Sequence, residues 1–278
     1  MNRPVVFGQI DFVNCLPITL PFLKNMPGNL ELAMDSPGEL NRAYQRGELD
    51  LGAMSAYFYL EDGGFKLFDQ LCIASRGAVG SVLFFSKRPL SELRGARIAL
   101  SKSSATSNNL VKVLLAEEFG GASGIEYLSS IDFVSDIDAW PTDEAFDGCV
   151  IIGDRALQAD REVASSEAQQ FERRDLGQWW FERYKLPMVF GVWAARKIWV
   201  ETNAQDFETL NKFLYDSLVR GLGCDYSEVL AQAGRRTQLP KEELDNYFTK
   251  ELDYSFSPAH AEGLELFRRL CLKYLLLY

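Results

Sequence analysis

Five hydroxyl side chains lie close together where an apolar run of the sequence ends and an amphipathic pattern begins. They are Ser101, Ser103, Ser104, Thr106 and Ser107. One hydroxyl is enough to cap the helix that this pattern predicts, so the cluster exceeds what capping requires. Because the first turn of a helix presents backbone N–H groups without intrahelical partners, we expect a carboxylate or phosphate to bind there.

Polar residues and glycines also end or open other apolar runs of the chain. Side chains at such positions lie at strand ends, where ligands of open α/β sheets bind. A glycine there lets a ligand approach the backbone closely. The residues concerned are Asp11, Asn14, Ser55, Gly80, Ser81, Gly153 and Asp154. We expect them to form one ligand site together with the hydroxyl cluster.

Several of these residues also have an ordinary structural interpretation, which the sequence leaves open. Asn14 can organise an Asx turn. Ser55 and Asp154 can cap the helices that follow them. Ser81 can face solvent or bond a neighbouring strand.

Reactive side chains are otherwise scarce. The single histidine, His260, is far in sequence from every turn named above, so we expect it in the core or on the surface and not in a catalytic triad. Arg76 and Arg155 flank the turns and either pair with a substrate carboxylate or are solvated charges. The sequence has no P-loop, GxGxxG or HExxH motif. An enzyme with this inventory would work by positioning and polarising its substrate and not through a strong side-chain nucleophile.

Composition narrows the class of protein. The chain has 278 residues, 47% of them hydrophobic, which is enough for a large core divided between two lobes. Its 39 acidic and 29 basic residues are scattered and give a net charge of −10, so nucleic acid is not an expected partner. We expect neither membrane insertion nor a disulfide framework, because no apolar stretch could span a bilayer and the five cysteines are widely spaced. The N-terminus lacks the features of a secretion signal, so we expect a cytoplasmic protein.

Strand and helix patterns alternate along the chain and predict an α/β fold. Strands are expected at residues 5–10, 30–34, 49–54, 65–74, 81–86, 97–101, 125–128, 149–152 and 186–195. Ser36, Pro37 and Glu39 indicate a capping box at the start of an early helix. The polar residues 158–174 are predicted to be solvated helix or loop, and the chain from residue 205 onward to be helical.

A charged segment containing Pro89, at residues 87–95, separates two α/β units. The apolar run at residues 186–195 then returns the chain to the first unit. The resulting prediction is a discontinuous lobe 1 and a continuous lobe 2, joined by two crossing strands. Lobe 1 covers residues 1–87 and 191–278, lobe 2 covers residues 88–190, and the crossing strands are near residues 81–86 and 187–195. Ligands of such folds occupy the cleft between the lobes.

Successive blocks of the sequence resemble the chorismate dehydratases of the futalosine route to menaquinone. In family order, from about residue 7 to residue 197, the blocks are GQIDFVNCLP, PGELNRAYQRGELDLGAMSAYFYL, GAVGSVLFFSKRPLSELRGARIAL, SSATSNNLVKVLL, IIGDRAL and DLGQWWFERYKLPMVFGVWAARK. The resemblance implies a two-lobed fold like that of type 2 periplasmic binding proteins, with a mixed sheet in each lobe. It also implies loss of water from chorismate, which gives 3-[(1-carboxyvinyl)oxy]benzoate without a cofactor.

The same resemblance implies roles for individual residues. Asn14 matches the active-site asparagine of the family and would bond the leaving hydroxyl or orient the substrate, with Ser81 as a second catalytic residue. The turn at residues 104–107 would hold a substrate carboxylate. The proton would pass to the substrate's own enolpyruvyl carboxylate or, as the alternative, to Asp11.

Three positions depart from the family pattern, and two other functions compete. Phe12, Cys15 and Ala78 stand where tyrosine, serine and proline are usual, which bears on the choice of substrate and not on the fold.

The first rival is the related enzyme that makes 1,4-dihydroxy-6-naphthoate. It is disfavoured because its blocks carry a histidine in the second lobe, whereas this sequence has no histidine before His260. The second rival is a solute-binding protein that serves a transporter, for which a secretion signal would be expected.

Overall fold

The computed structural model describes residues 4–28, 30–121, 124–131, 146–165 and 171–277, which form two mixed β-sheets flanked by helices. The strands are β1 (Val5–Ile10), β2 (Leu30–Asp35), β3 (Leu51–Ser55), β4 (Phe65–Ser75), β5 (Val82–Ser86), β6 (Arg97–Ser101), β7 (Glu126–Ile131), β8 (Gly148–Ile152), β9 (Glu172–Asp175), β10 (Met188–Arg196) and β11 (Asp253–Ser255). The helices are α1 (Leu16–Lys24), α2 (Pro37–Gln45), α3 (Ala56–Asp62), α4 (Ala105–Phe119), α5 (Gly153–Ser165), α6 (Leu176–Tyr184), α7 (Lys197–Thr202), α8 (Ala204–Gly221), α9 (Tyr226–Thr237), α10 (Lys241–Asn246) and α11 (Pro258–Lys273).

The first sheet has the strand order β11-β4-β10-β3-β1-β2. Strands β1, β2 and β3 are parallel, whereas β10 runs antiparallel to β3 and β4. The backbones of β1 and β3 approach so closely that a Cβ atom at Gly52, where φ is +130°, would collide with the carbonyl oxygen of Gly8. Because β1 lies between β2 and β3, the strand order reverses direction at β1, and a crevice forms there at the carboxyl ends of the strands. That edge is the usual place for a ligand.

The second sheet has the order β7-β6-β8-β5-β9. Strands β6, β7 and β8 are parallel, and β5 runs antiparallel to both of its neighbours. Since β6 lies between β7 and β8, the strand order of this sheet also reverses direction, at β6. Each sheet therefore offers a ligand-binding edge of the same kind.

Short connections join the two sheets. Strand β5 pairs with β8 and β9 over its length, and β10 pairs only within the first sheet. The outward crossing therefore occupies residues 76–81. The carboxylate of Asp175 holds this segment, because it accepts hydrogen bonds from the backbone N–H groups of Val79, at 3.0 Å, and Gly80, at 2.7 Å. The lobe boundaries at residues 87 and 191 stay predictions.

Two edge strands were not expected from the sequence. Strand β9 overlaps the end of the polar span that was predicted to be solvated helix or loop, and α5 extends into the beginning of that span. Residues 166–170 lie outside the described residues. Charged side chains are typical of a sheet edge, where they discourage pairing with other chains, so hydrophobic patterning does not reveal such strands. The three-residue β11 was hidden in the same way among helical patterns.

Ser36 and His260 lie at the N-termini of α2 and α11. Ser36 accepts a hydrogen bond from the backbone N–H of Glu39 and so caps α2, but the Glu39 carboxylate pairs with Arg42 and does not complete a capping box. His260 is fully buried at the start of α11, where its Nε2 lies 3.1 Å from a carboxylate oxygen of Asp253. Within the described part of the chain, no helix has the length and apolar character needed to cross a membrane.

Candidate functional site

A small cavity lies where the carboxyl ends of β1, β3, β6 and β8 meet, between the two sheets. Its volume is about 40 Å³. Its polar side chains belong to Asn14, Ser55, Ser81, Ser104 and Ser107. The rest of the wall consists of Ile10, Phe12, Cys15, Pro37, Ile73, Val82, Ile152, Gly153, Phe190 and Gly191. Among the described lining residues there is no Asp, Glu, His, Lys, Arg or Tyr, and burial raises the pKa of the Cys15 thiol, which keeps it neutral.

The N-terminus of α4 forms one wall of the cavity. Ser104 caps the helix by accepting a hydrogen bond from the backbone N–H of Ser107 at 3.1 Å. The two hydroxyl oxygens are 3.0 Å apart, with Ser104 as the donor. The hydroxyl proton of Ser107 is then available to a ligand in the cavity. Together with the N–H groups of the first helical turn, this hydroxyl forms a donor site for a carboxylate oxygen.

A second donor lies at the start of α3. Ser55 caps this helix through the backbone N–H of Phe58, at 3.2 Å, and also accepts a hydrogen bond from Asn41 Nδ2 at 2.8 Å. With both acceptor positions of its hydroxyl in use, Ser55 can donate its own proton into the cavity. Thr106 does not line the cavity. Its buried hydroxyl accepts the backbone N–H of Tyr57 at 2.9 Å and thereby ties α3 to α4.

Asn14 lines the cavity, and its amide oxygen is buried and unsatisfied. It lies on the short 3₁₀ turn Val13–Cys15 between β1 and α1. Its Oδ1 is buried without a hydrogen-bond partner in the described structure, whereas its backbone carbonyl accepts the Tyr254 hydroxyl at 2.9 Å. Leaving such a group unpaired costs about 1–3 kcal/mol, so a ligand that bonds to this amide would recover that energy.

Ser81 faces the cavity from the segment that crosses between the sheets. The hydroxyl of Tyr247 donates to Ser81 Oγ at 2.8 Å, and the Ser81 carbonyl accepts the backbone N–H of Gly153 at 2.8 Å. Burial raises the pKa of Tyr247 well above its usual value, so the phenol keeps its proton and stays a donor. Sequence analysis missed Tyr247 because it comes from the helical C-terminal region. The five-residue π-helical turn Tyr247–Glu251 that begins with it is the kind of irregularity that often marks functional sites.

Gly153 brings the start of α5 to the cavity. Its φ is +65°, and a Cβ atom there would lie 3.1 Å from the ring of Phe12. Gly80 was expected nearby, but it lies outside the cavity. Its N–H binds Asp175, and a side chain in its place would collide with the carboxylate of Glu251.

Asp11 and Asp154 also lie outside the cavity, because both bind Arg236 of α9. The Asp11 carboxylate accepts Arg236 Nη1 at 2.6 Å, and the Asp154 carboxylate accepts Nε at 3.0 Å. Burial raises the pKa of Asp154, although a backbone N–H bond from Val13 and the Arg236 charge oppose that shift. The two arginines of the flanking turns are paired elsewhere, Arg76 with Asp253 at 2.8 Å and Arg155 with Glu162 at 2.9 Å.

Among the described residues, the cavity wall offers helix N-termini and hydroxyl donors but no cationic side chain, an arrangement suited to an anion. The N-termini of α2, α3, α4 and α5 contribute Pro37, Ser55, Ser104 and Gly153 to the cavity wall. The positive ends of helix dipoles favour negative charge, and the hydroxyl groups add oriented donors. No set of three or more His, Cys, Asp or Glu side chains in the described part of the chain is arranged to bind a metal. Such a site can hold carboxylates and hydrogen-bond a neutral hydroxyl.

Sequence comparison identifies close relatives of the chain. A family model described as menaquinone biosynthesis matches residues 5–273. The chain is 34% identical over 206 residues to a Thermus thermophilus protein named chorismate dehydratase, which covers 70% of this chain and 71% of that protein. A Campylobacter jejuni protein of the same name is 28% identical over 217 residues, with 75% and 74% covered.

Structural comparison confirms the predicted two-lobed fold of periplasmic binding proteins. A protein from Archaeoglobus fulgidus superimposes with a TM-score of 0.78 at 18% identity, and 98% of each chain is covered. An alkanesulfonate-binding protein from Xanthomonas axonopodis, bound to MOPS, gives a TM-score of 0.68 at 16% identity, with 100% of this chain and 96% of that chain covered. At these identities the similarity concerns the fold alone.

Proposed function

The chain belongs to the menaquinone biosynthesis family, and we propose on that basis that it is a chorismate dehydratase. The reaction removes the ring C3 proton and the C4 hydroxyl of chorismate as water. The product is 3-[(1-carboxyvinyl)oxy]benzoate. Because the cyclohexadiene ring becomes aromatic, the driving force lies in the substrate, and the protein has to bind two carboxylates and align the departing groups.

Oriented neutral donors in the cavity suit this substrate. The first turn of α4 and the Ser107 hydroxyl would hold one carboxylate, with the Ser55 hydroxyl as a further donor. Ser81, whose oxygen already accepts from Tyr247, would exchange its long bond to the Val79 carbonyl oxygen, at 3.4 Å, for a bond to the substrate. Carboxylate binding by such groups needs no arginine or lysine.

Asn14 is assigned to the leaving hydroxyl. A neutral amide is a poor base, but its N–H can stabilise the departing oxygen and its carbonyl oxygen can orient the hydroxyl before it leaves. The unsatisfied Oδ1 of Asn14 supports the orienting bond, in which this oxygen would accept the proton of the substrate hydroxyl. Turnover should depend on this residue more than substrate binding does, since the charge on oxygen grows only as the C–O bond breaks.

The proton acceptor that we propose is the enolpyruvyl carboxylate of chorismate itself. Among the described residues that line the cavity, no side chain is a plausible base, because the Cys15 thiol stays protonated. Asp11 was the alternative from the sequence, and its carboxylate binds Arg236 outside the cavity. A base within the substrate also removes the need for a histidine.

Substrate must enter a more open form of the protein. A volume of about 40 Å³ has room for roughly two or three water molecules, whereas pockets for small organic ligands measure about 300–1,000 Å³. We therefore propose that the two sheets move apart to admit chorismate and close around it. The five cysteines are free thiols, which suits our placement of the reaction in the reducing cytoplasm.

The decisive experiment gives purified protein chorismate alone, without metal or cofactor. We expect the diene absorbance to fall while the enolpyruvyl benzoate accumulates, as measured by ultraviolet spectroscopy and chromatography. The Asn14→Ala variant provides a control for contaminating activity. Tight chorismate binding without product would instead indicate a solute-binding protein, and turnover of a cyclised futalosine would indicate the related naphthoate-forming enzyme.

A further inference from the structure

Arg236 connects the two sheets beside the cavity. Its Nη1 binds Asp11 Oδ1 at 2.6 Å and its Nη2 binds the Asp11 carbonyl oxygen at 2.8 Å. On its other side, Nε and Nη2 bind Asp154 Oδ2 at 3.0 and 2.7 Å. Asp11 follows β1 of the first sheet, and Asp154 lies in the first turn of α5, directly after β8 of the second. One guanidinium thus bridges the two sheet edges that border the cavity.

The contacts of Asp154 continue to the residue beside Asn14. While Oδ2 binds Arg236, Oδ1 accepts the backbone N–H of Val13 at 2.8 Å. Val13 opens the 3₁₀ turn that carries Asn14. A continuous series of polar contacts therefore runs from α9 through α5 to the backbone of that turn.

Partial burial makes these contacts depend on one another. The side chains of Asp154 and Arg236 are 21% and 26% exposed. A carboxylate in such a place loses hydration and is stabilised mainly by its partners, so removal of Arg236 would leave Asp154 poorly compensated. Helix α9 packs against both α1 and α5, which places Arg236 on the boundary between the lobes.

We infer that Arg236 is a positioning residue that latches the closed cleft and, through Asp154, sets the turn that carries Asn14. The inference rests on the proposed function for its kinetic readout and on geometry alone for its conformational readout. Separation of the sheets moves the Asp11 segment away from the start of α5, and one guanidinium cannot then bind both. The latch forms on closure, so Asn14 takes its working position only when the cavity is shut.

Cys15 provides a readout that does not depend on activity. Its thiol lines the cavity and is fully buried in the closed form, whereas Cys72, Cys149 and Cys271 are buried away from the cavity. Opening of the cleft exposes Cys15 alone, and unfolding exposes all four. Site-resolved labelling by iodoacetamide, quantified by mass spectrometry, separates the two events.

The experiment compares wild type, Arg236→Gln, Arg236→Lys and the matched control Arg235→Gln. We expect Arg236→Gln to label at Cys15 roughly tenfold faster than wild type, while the three other buried thiols stay protected, because couplings of this kind typically change equilibria by about 5–150-fold. The lysine variant should recover little protection, since a single ammonium group cannot reproduce the planar fork that reaches both aspartates. The Arg235→Gln control should label at Cys15 at the rate of the wild type.

Kinetics provide the second readout. For Arg236→Gln we expect kcat to fall more than KM rises, because Asn14 is displaced in the step that breaks the C–O bond. Unchanged Cys15 labelling in this variant would overturn the latch, and equal acceleration at all four buried thiols would show a structural role only. If Arg236→Gln labels faster at Cys15 but the wild type does not turn over chorismate, the latch is supported and the proposed function is wrong.

Discussion

The phenol of Tyr247 donates a hydrogen bond to the hydroxyl of Ser81 across 2.8 Å, although the two residues are 166 positions apart in the chain. Both side chains are buried. A residue of the C-terminal helical region thus fixes a hydroxyl on the segment that joins the two sheets. The Ser81 hydroxyl itself donates to the carbonyl oxygen of Val79 at 3.4 Å, a long hydrogen bond that a ligand in the cavity can replace.

Replacement of Tyr247 by phenylalanine keeps the ring and removes this donor. We expect kcat to fall by roughly tenfold with little change in KM, and the free energy of unfolding to fall by about 1 kcal/mol. Steady-state kinetics and urea unfolding measure the two effects. Tyr226→Phe is the matched control, because its hydroxyl binds Asp245 on the surface at 2.8 Å. Equal kinetic losses in both variants would contradict the role of Tyr247.

Asn14→Ala removes the amide from the cavity while the Val13–Asp154 contact, which uses backbone, remains. We expect kcat to fall by roughly 10²–10³-fold, as for other donors that stabilise a developing negative charge, with a much smaller change in product affinity. Stopped-flow kinetics and titration calorimetry measure these quantities. A parallel loss of binding and turnover would reduce Asn14 to a residue that only positions the substrate.

The two serines of the α4 turn should separate stability from binding. Ser104→Ala removes the helix cap, and we expect a loss of about 1 kcal/mol in the free energy of unfolding. Ser107→Ala leaves the cap in place and removes a donor to the ligand. We therefore expect KM to rise while the free energy of unfolding changes little. Thermal unfolding and steady-state kinetics of both variants test this division. A Ser107 variant with unchanged KM would place the carboxylate elsewhere.

Part of the loss of folding stability at low pH should depend on Asp253. Burial opposes its ionisation, but hydrogen bonds from His260, Ser255 and Arg76 outweigh that effect and hold the pKa of this carboxyl below its usual range. Because folding favours the ionised form, the contribution to stability is complete above the unfolded pKa of about 3.9 and is lost as the pH falls towards the folded pKa. Asp253→Asn should therefore be less stable than wild type near neutral pH, and the difference should shrink in acid.

Urea midpoints of the wild type and of Asp253→Asn, measured from about pH 7 to about pH 3, give this difference directly. Glu61→Gln serves as a control, since Glu61 is an exposed carboxylate on α3. A difference between wild type and Asp253→Asn that stays constant with pH would mean that hydrogen bonding, and not ionisation, accounts for it.

Sequence reasoning found the cavity residues that stand at strand ends and helix caps. Ser55, Ser104 and Gly153 are of this kind, because hydrophobic periodicity marks where a strand stops and the following residue is then close to the sheet edge. Gly80 and Thr106 were placed in the site by proximity alone. Each immediately neighbours a residue near the cavity, yet its own N–H or hydroxyl points to another element.

The partners from distant parts of the chain could not be found in the same way. Arg236 and Tyr247 lie in helices whose sequence pattern shows only amphipathic packing, and their contacts with Asp154 and Ser81 depend on how the C-terminal helices return to the first lobe. Asp11 has an ordinary strand-end position, and nothing near it in sequence reveals that an arginine 225 positions away binds it. Local patterns predict elements, whereas these pairings are properties of the assembled fold.

The four helix N-termini that meet at the cavity belong to different sheets, α2 and α3 to the first and α4 and α5 to the second. Their like partial charges repel one another when nothing lies between them. A dianion supplies the missing opposite charge, so chorismate itself would draw the halves of the protein together. The product retains both carboxylates, and the same attraction should therefore delay its departure after the chemistry is over.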